Sequence, residues 1–260
     1  PFFDRVLTLD YFKRKSSLQA ELSDGSLTEF VKQLGFYDLA IDFRRQPDTR
    51  FVLAQVEAGL KVGYGSLDPA IDAKLDIALP TYQDLPFVET PLNRISISEQ
   101  MLALVDALPA HPSDYVVLPP IATPLQQHTR AVALFPYAGG DAKEWPVARF
   151  HELARRLAAD PAVELVSVFF ASEKEAQRFS FDGIDKVVIQ AGLSIPELMR
   201  HLAGHQLCVA NNSGGAHMAA YLGVTALGVY GGLETAHEWA PVFGNSYVLH
   251  NEAACSPCHI

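Results

Sequence analysis

The stretch VANNSGGAHMAAYLG, Val209–Gly223, joins an apolar run to an alanine-rich run through polar residues and a Gly-Gly pair. The apolar residues at its start predict a strand, and the residues at its end have the spacing of a helix. A helix that begins at such a loop offers unpaired N–H groups and a positive dipole to an anion. The stretch therefore predicts either an ordinary strand-to-helix turn or a cradle for a phosphate or sugar.

The rest of the second half of the chain continues this alternation of strand and helix patterns. Apolar runs typical of strands occupy residues 130–136, 163–170, 186–190, 206–212 and 225–231. Helical spacing occupies residues 146–160, 172–180, 194–204 and 215–223. Strands and helices that alternate in this way predict a parallel sheet covered by helices on both faces.

The first half repeats the alternation less regularly. Strand patterns lie at residues 5–10, 37–44 and 60–65, and helix patterns lie at residues 26–35, 49–59 and 96–108. Residues 109–130 contain five prolines and little periodicity, which is typical of a linker. The sequence therefore predicts an α/β protein with two similar domains.

The composition narrows the classes of function. The 260 residues carry a formal net charge of −10. This acidic balance disfavours nucleic acid as a partner, because the phosphate backbone is bound mainly through Lys and Arg. No apolar run reaches the roughly 18 residues of a transmembrane segment, and the first residues lack the pattern of a signal peptide. The sequence therefore predicts a cytoplasmic protein, and the presence of only three cysteines fits a reducing compartment.

Ligands of parallel sheets bind beyond the carboxyl ends of the strands, so the loops there carry the candidate site residues. In the first loop, Gly139 and Gly140 allow the backbone to approach a ligand closely, and Lys143 offers a charge to a phosphate. A glycine turn with a solvated lysine is the alternative interpretation. In the second loop, Glu173 or Glu175 could accept hydrogen bonds from sugar hydroxyls, although acidic residues also favour the first turn of any helix.

The opening stretch supplies the third loop. A diphosphate would fit the predicted helix start at Ser213, Gly214 and Gly215, with His217 on the first turn beside it. The histidine donates to a phosphate or hydroxyl in this interpretation, and packs as a core side chain in the alternative. The stretch has no GxGxxG pattern and comes late in its domain, which disfavours a dinucleotide-dependent dehydrogenase.

These ordered loops resemble a known family. The segments ALFPYAGGDAKEWPVARFHELARRL, residues 133–157, and AGLSIPELMRHLAGHQLCVANNSGGAHMAAYLG, residues 191–223, are similar to segments of family 9 glycosyltransferases, the ADP-heptose lipopolysaccharide heptosyltransferases. EWAPVFGNSYVL and CSPC further on also agree with that family, whereas the first half matches more weakly. The resemblance implies a GT-B architecture, with two Rossmann-like domains that face each other across a cleft. Residues 1–125 would form the acceptor side, and residues 126–260 would hold the nucleotide sugar.

The resemblance also implies an activity and a set of partners. The expected reaction is transfer of a sugar, heptose in the first instance, from an ADP-sugar to a saccharide such as lipopolysaccharide core, or to a protein. The transfer would proceed with inversion at the sugar and without a catalytic cofactor. Any contact with a membrane would be peripheral, through the acceptor.

The family pattern assigns roles to the loop residues. The implied nucleotide-sugar site comprises Gly139, Gly140, Lys143, Glu173, Asn212, Ser213, Gly214, Gly215 and His217. Lys143 and the small loop before it would meet the phosphates, and Ser213 and Gly214 would donate to the diphosphate or the sugar. Glu173 matches the acid that touches the nucleoside, with Glu175 as the alternative alignment.

The sequence departs from the family pattern at two points. Asn212 stands where the family has an aspartate, which keeps the hydrogen bonding and removes the charge. The presumed catalytic base of the family lies in a Gly-Asp loop after a first strand. No residue here matches that loop, so the base is expected upstream of Pro1. These departures leave a second hypothesis, a non-catalytic module that binds a nucleotide sugar or a glycan.

Cys255 and Cys258 form a Cys-x-x-Cys pair, which is half of a four-cysteine metal site. Cys208 lies in a predicted strand and is a poor third ligand. Some members of the family that modify autotransporter proteins carry a C-terminal, iron-binding cysteine cluster. The pair is therefore a candidate site for structural iron or zinc.

Overall fold

A computed structural model describes most of the second half of the chain and parts of the first half. The described residues are 26–44, 49–65, 69–79, 96–108, 130–177, 181, 183–232, 236–242 and 244–250. The chain divides into two compact units, Pro1–Ile95 with Glu99–Pro112, and Ser96–Ser98 with Ser113–Ile260. The predicted domain boundary at residues 125 and 126 lies outside the described residues and stays a prediction.

The first unit contains a parallel sheet of three strands in the order β1-β2-β3. The strands are β1 (Phe36–Ile41), β2 (Glu57–Tyr64) and β3 (Ile77–Leu79). Its helices are α1 (Ser26–Lys32), α2 (Arg50–Gln55), α3 (Pro69–Asp72) and α4 (Ile97–Asp106). Val62 and Tyr64 of β2 pack with Leu104 of α4 in its core, and all three side chains are fully buried.

One predicted element of this unit is wrong in its second half. The helix expected over residues 49–59 ends at Gln55, and the following residues form β2. Phe36 of β1 pairs with Glu57, and Tyr37 pairs with Ala58. Sheet pairing thus overrides a local helical pattern. The strand predicted at residues 5–10 lies outside the described residues.

The second unit contains six parallel strands in the order β6-β5-β4-β7-β8-β9. The strands are β4 (Ala131–Phe135), β5 (Leu165–Phe170), β6 (Val187–Ala191), β7 (Leu207–Asn211), β8 (Thr225–Tyr230) and β9 (Ser246–His250). The helices are α5 (Val147–Ala159), α6 (Glu173–Ala176), α7 (Ile195–Leu202), α8 (Gly214–Tyr221) and α9 (Ala236–Trp239). The expected alternation of strands and helices is confirmed. The helix expected over residues 172–180 is shorter, since it ends at Ala176.

The central strands of this sheet bury both faces. On one face Val132, Leu134 and Val166 pack against Phe150 and Ala154 of α5. On the other face the small residues of α8 pack against the sheet with Cys208 and Ala210 of β7. The sheet order reverses direction between β4 and β7, and such a switch point leaves a crevice outside the strand ends where ligands bind. No helix among the described residues is both long and apolar enough to cross a bilayer.

Candidate functional site

A cavity of about 430 Å³ lies at the carboxyl ends of β4, β5 and β7, beside the switch point. Its lining residues come from strand ends, the loops that follow them, and helices α6, α7 and α8. They are Phe135, Tyr137, Ala138, Gly139, Phe169, Phe170, Ala171, Glu175, Leu193, Ile195, Leu198, Ser213, Gly214, Gly215 and Met218. The cavity thus lies where the sequence predicts ligand binding.

The walls of the cavity are mainly apolar. Phe135 stacks on Phe169, with ring centroids 4.9 Å apart and an angle of 8° between the planes. Leu193, Leu198 and Met218 are further apolar residues of the lining. A flat, uncharged group such as a nucleobase is stabilised on entering such a space, because apolar surface is removed from water.

The N-terminus of α8 forms the polar part of the lining. Ser213 is the N-cap residue, and its Oγ atom is buried without a hydrogen-bond partner among the described residues. The first N–H groups of a helix also have no partner within the helix, and the helix dipole favours an anion there. An anionic group would therefore find several donors at this point.

Gly215 is required at its position by packing. A Cβ atom there would lie 2.6 Å from the Phe135 ring, closer than side chains approach one another. Gly214 differs, since a Cβ at that position would meet nothing within 4 Å among the described residues. Gly139 and Gly140 likewise border open space in the described structure.

The loop between β4 and α5 carries Lys143. A short 3-10 helix, Asp141–Lys143, shapes its tip, and the Glu144 carboxylate accepts a hydrogen bond from the Ala138 N–H at 3.0 Å. The Lys143 Nζ atom lies 5.7 Å from the centre of the Trp239 ring in α9. The aromatic face thus helps to hold the ammonium group through a cation–π contact. Trp239 was not among the predicted site residues, because no local pattern relates residues so far apart in the chain.

Asn211 lies next to the candidate site, and the sequence patterns do not single it out either. Its side chain is fully buried at the end of β7. The Oδ1 atom accepts a hydrogen bond from the Trp145 N–H at 2.8 Å, and the Nδ2 atom donates to the Pro136 carbonyl at 2.7 Å. Asn212, which the family pattern put in the site, follows it and is 9% exposed. The pair of asparagines directly after an apolar strand pattern is the feature of the sequence that could have indicated Asn211.

The acidic residues of α6 take different positions. Ser172 is the N-cap, as its place before the helix predicts, and its Oγ accepts a hydrogen bond from the Glu175 N–H. The Glu175 carboxylate accepts from the Ala171 N–H at 3.1 Å and lines the cavity. Glu173 is exposed on the first turn and is not among the described lining residues.

His217 lies on the first turn of α8 and is partly buried. Burial lowers the pKa of its imidazole below the ordinary value of 6.5. The side chain is therefore neutral at pH 7, so it can donate or accept a hydrogen bond without adding charge.

The structure brings only some of the predicted site residues to the cavity wall. Those that line it are Gly139, Ser213, Gly214 and Gly215, together with the alternative acid Glu175. Four other predicted residues lie on the same loops or helix but do not line the cavity; they are Gly140, Lys143, Asn212 and His217.

The predicted metal ligands Cys255 and Cys258 lie outside the described residues. Within the described part of the chain, no group of three or more His, Cys, Asp or Glu side chains could hold a metal ion. Cys208 is fully buried, and burial strongly raises the pKa of its thiol. This thiol is therefore protonated and structural.

A sheet of this order, with a cavity and a helix N-terminus at its switch point, is the arrangement of nucleotide-binding α/β proteins. Residues 99–259 match the family model of glycosyltransferase family 9 (heptosyltransferase). The chain therefore belongs to glycosyltransferase family 9, as the ordered loop motifs predict.

Comparison with a curated relative supports this assignment. The chain is 31% identical over 117 residues to lipopolysaccharide heptosyltransferase 1 of Pseudomonas aeruginosa. The matched region covers 45% of this chain and spans 32%, about a third, of the relative's length.

Solved structures of family members share the fold. Heptosyltransferase WaaC of E. coli with ADP has a TM-score of 0.64 and 17% identity, covering 93% of this chain and 75% of that one. A family 9 glycosyltransferase of Veillonella parvula has a TM-score of 0.66 and 13% identity, covering 87% of this chain and 67% of that one. These likenesses confirm the expected α/β fold class of GT-B heptosyltransferases.

Proposed function

We propose that the second unit binds the nucleotide-sugar donor ADP-heptose, and that the protein transfers the heptose with inversion to a saccharide acceptor such as lipopolysaccharide core. The observation that carries this proposal is the buried Ser213 Oγ atom, which lacks a partner among the described residues and lies at the N-terminus of α8 beside an apolar cavity. A polar atom buried without a partner costs free energy, so its persistence at a cavity wall supports a ligand there.

The donor would use the two parts of the cavity differently. Its base would contact the stacked pair Phe135 and Phe169 and the side chains of α7, where apolar surface is available. Its diphosphate would lie at Ser213 and the first N–H groups of α8, with Lys143 at the neighbouring loop. A second structure of E. coli WaaC, with 19% identity and a TM-score of 0.62, contains ADP-2-deoxy-2-fluoro heptose, and this supports a donor of that class.

The chemistry of transfer follows from this placement. The acceptor hydroxyl attacks the anomeric carbon of the heptose and loses its proton to a general base, while the bond to the diphosphate breaks. Negative charge then grows on the departing ADP. The Ser213 hydroxyl, the α8 N-terminus and Lys143 would stabilise that charge, which lowers the barrier because they are already oriented before the reaction.

The proposal is tested by calorimetry with ADP and ADP-heptose on the chain and two variants. Ser213→Ala and Lys143→Ala should each weaken binding by about 1 kcal/mol or more, the scale of a hydrogen bond to a charged group. Ser213→Ala should not lower the free energy of unfolding, because its Oγ has no partner among the described residues to lose.

Thr28→Ala serves as the matched control, because Thr28 lies in the first unit. Its hydroxyl donates to the Gln55 side-chain oxygen at 3.1 Å, so the variant should lose at most about 1 kcal/mol of stability and keep its affinity for ADP. Failure of the unmodified chain to bind either ligand would refute the proposal. Tight binding without transfer of heptose to lipopolysaccharide acceptors would support the non-catalytic binding module instead.

A further inference from the structure

The side chain of Asn211 connects two segments that are distant in sequence. Its two hydrogen bonds reach Trp145, 66 residues earlier, and Pro136, 75 residues earlier. Both partners are backbone groups, so the contacts depend on where those segments lie. Asn211 itself is fully buried and is not among the lining residues of the cavity, so it acts through its neighbours.

The two partners stand at the two ends of one loop. Pro136 follows directly after β4, and Trp145 comes two residues before α5 begins. The loop between them carries Gly139 and Lys143. The Asn211 amide therefore bridges the two ends of this loop: it accepts a hydrogen bond from Trp145 and donates one to Pro136.

The same residue is also tied to α8. Asn211 is the last residue of β7, and Ser213, the N-cap of α8, follows two positions later. The short connection leaves little freedom between the Asn211 side chain and the start of α8. Asn211 therefore connects the Lys143 loop, through its side chain, to the N-terminus of α8, through the backbone.

We infer that Asn211 is the positioning residue for diphosphate recognition: it holds the Lys143 loop at the distance from the α8 N-terminus that a diphosphate requires. This inference rests on the proposed function of the site. An amide suits the role because it has both a donor and an acceptor, whereas a carboxylate has no donor for the Pro136 carbonyl. The apolar walls at Phe135, Phe169 and Leu198 lie outside this loop, although Tyr137, Ala138 and Gly139 of the loop also line the cavity. Recognition of the nucleoside should therefore depend on Asn211 less than recognition of the diphosphate does.

Asn211→Leu tests the inference, because leucine has the same branched shape, with two methyl groups in place of the amide O and NH₂, and makes neither hydrogen bond. Dissociation constants are measured for ADP by calorimetry and for adenosine by ligand-observed NMR. We expect affinity for ADP to fall about tenfold and affinity for adenosine to change less than about twofold, since mainly the diphosphate contacts are displaced. A side chain with a merely structural role would alter both ligands alike.

Ser167→Ala is the matched control. It removes another buried hydrogen bond of the same sheet, between the Ser167 hydroxyl and the His205 Nε2 atom at 2.9 Å. Its loss should lower the free energy of unfolding and leave the ratio of the two affinities unchanged. If Asn211→Leu does not fold, Asn211→Ser gives the same reading, because the shorter hydroxyl cannot span both partners.

Equal weakening of ADP and adenosine, or no change in either, would overturn the role of Asn211 while leaving the donor site intact. Failure of the unmodified chain to bind ADP would instead remove the proposed function, and with it the basis of this inference. Selective loss of ADP affinity in either Asn211 variant, without such loss in Ser167→Ala, supports it.

Discussion

Asn211 and Ser213 are separated by one residue and differ in how their polar atoms are satisfied. The Asn211 amide bonds to two backbone groups of the protein, whereas the Ser213 hydroxyl has no partner among the described residues. Buried polar groups with protein partners contribute to stability and geometry, and those without partners cost stability until a ligand supplies one. At the residue scale, the first side chain bridges the two ends of the loop after β4, and the second offers a hydroxyl at the cavity wall.

His217 gives a prediction of pH dependence at this scale. Its pKa is lowered in the folded chain by burial, while in the unfolded chain it keeps its ordinary value of 6.5. Below about pH 6.5 the unfolded chain therefore binds more protons than the folded one at this position, and stability falls until the pH reaches the folded pKa. We expect His217→Gln to lose less stability than the unmodified chain between pH 7 and pH 5.

Denaturant unfolding at a series of pH values measures this difference. His250→Gln, a substitution of an exposed histidine at the end of β9, controls for the loss of an imidazole. Parallel stability curves for the unmodified chain and His217→Gln would contradict the assignment of a burial-driven shift.

At the scale of elements, the first turn of α8 has to approach β4 very closely. The helix packs its alanines Ala216, Ala219 and Ala220 into the core, and all three are buried. Small side chains let a helix lie close to a sheet, and Gly215 extends this contact to the ring of Phe135. The same approach brings the helix N-terminus to the cavity wall.

The two glycines of this turn form a matched pair for a test. Gly215→Ala places a methyl group against the Phe135 ring, and we expect a loss of about 1–3 kcal/mol in the free energy of unfolding, the usual cost of overpacking. Gly214→Ala meets no described atom within 4 Å, so it should be neutral or slightly stabilising, since alanine favours helices over glycine. Chemical denaturation of the two variants side by side measures the difference. Equal stabilities would show that Phe135 moves aside without cost.

At the scale of the whole molecule, the first compact unit contains a buried ion pair and the second contains the cavity. In the first unit the guanidinium of Arg50, which is 2% exposed, pairs with the Asp42 carboxylate. It also donates to the Tyr64 carbonyl at 2.8 Å and to the Arg44 carbonyl at 3.0 Å. This network joins the ends of β1 and β2. All residues that line the cavity belong to the second unit.

Hydrogen–deuterium exchange should separate the two units. Arg50→Met leaves Asp42 without its charge partner, at an expected cost of about 3–5 kcal/mol, and should speed exchange in β1 and β2. ADP should slow exchange at the start of α8 and in the loop after β4, equally in the variant and in the unmodified chain. Lys32→Met, which breaks an exposed ion pair with Glu29, is the control and should change little. Loss of ADP protection in Arg50→Met would contradict a donor site confined to the second unit.

The sequence by itself determined the alternation of strands and helices in the second unit, the loops that border the cavity, and the family. It could do so because periodicity is local, and because parallel strands bring the loops at their carboxyl ends to one edge of the sheet. Ser213 and Gly214, which line the cavity, are predicted in this way, since the start of a helix is visible in neighbouring residues.

Only the tertiary structure decided which side chains on those loops meet. It put Glu175 rather than Glu173 in the cavity lining, and the ring of Trp239 beneath Lys143. It also put the Asn211 amide between the two ends of a loop that lies 66 to 75 residues earlier in the chain. It also ended α2 at Gln55, where pairing with β1 outweighed a helical pattern. The physical reason is the same in each case: strand order and packing set contacts between distant residues, and local periodicity carries no information about them.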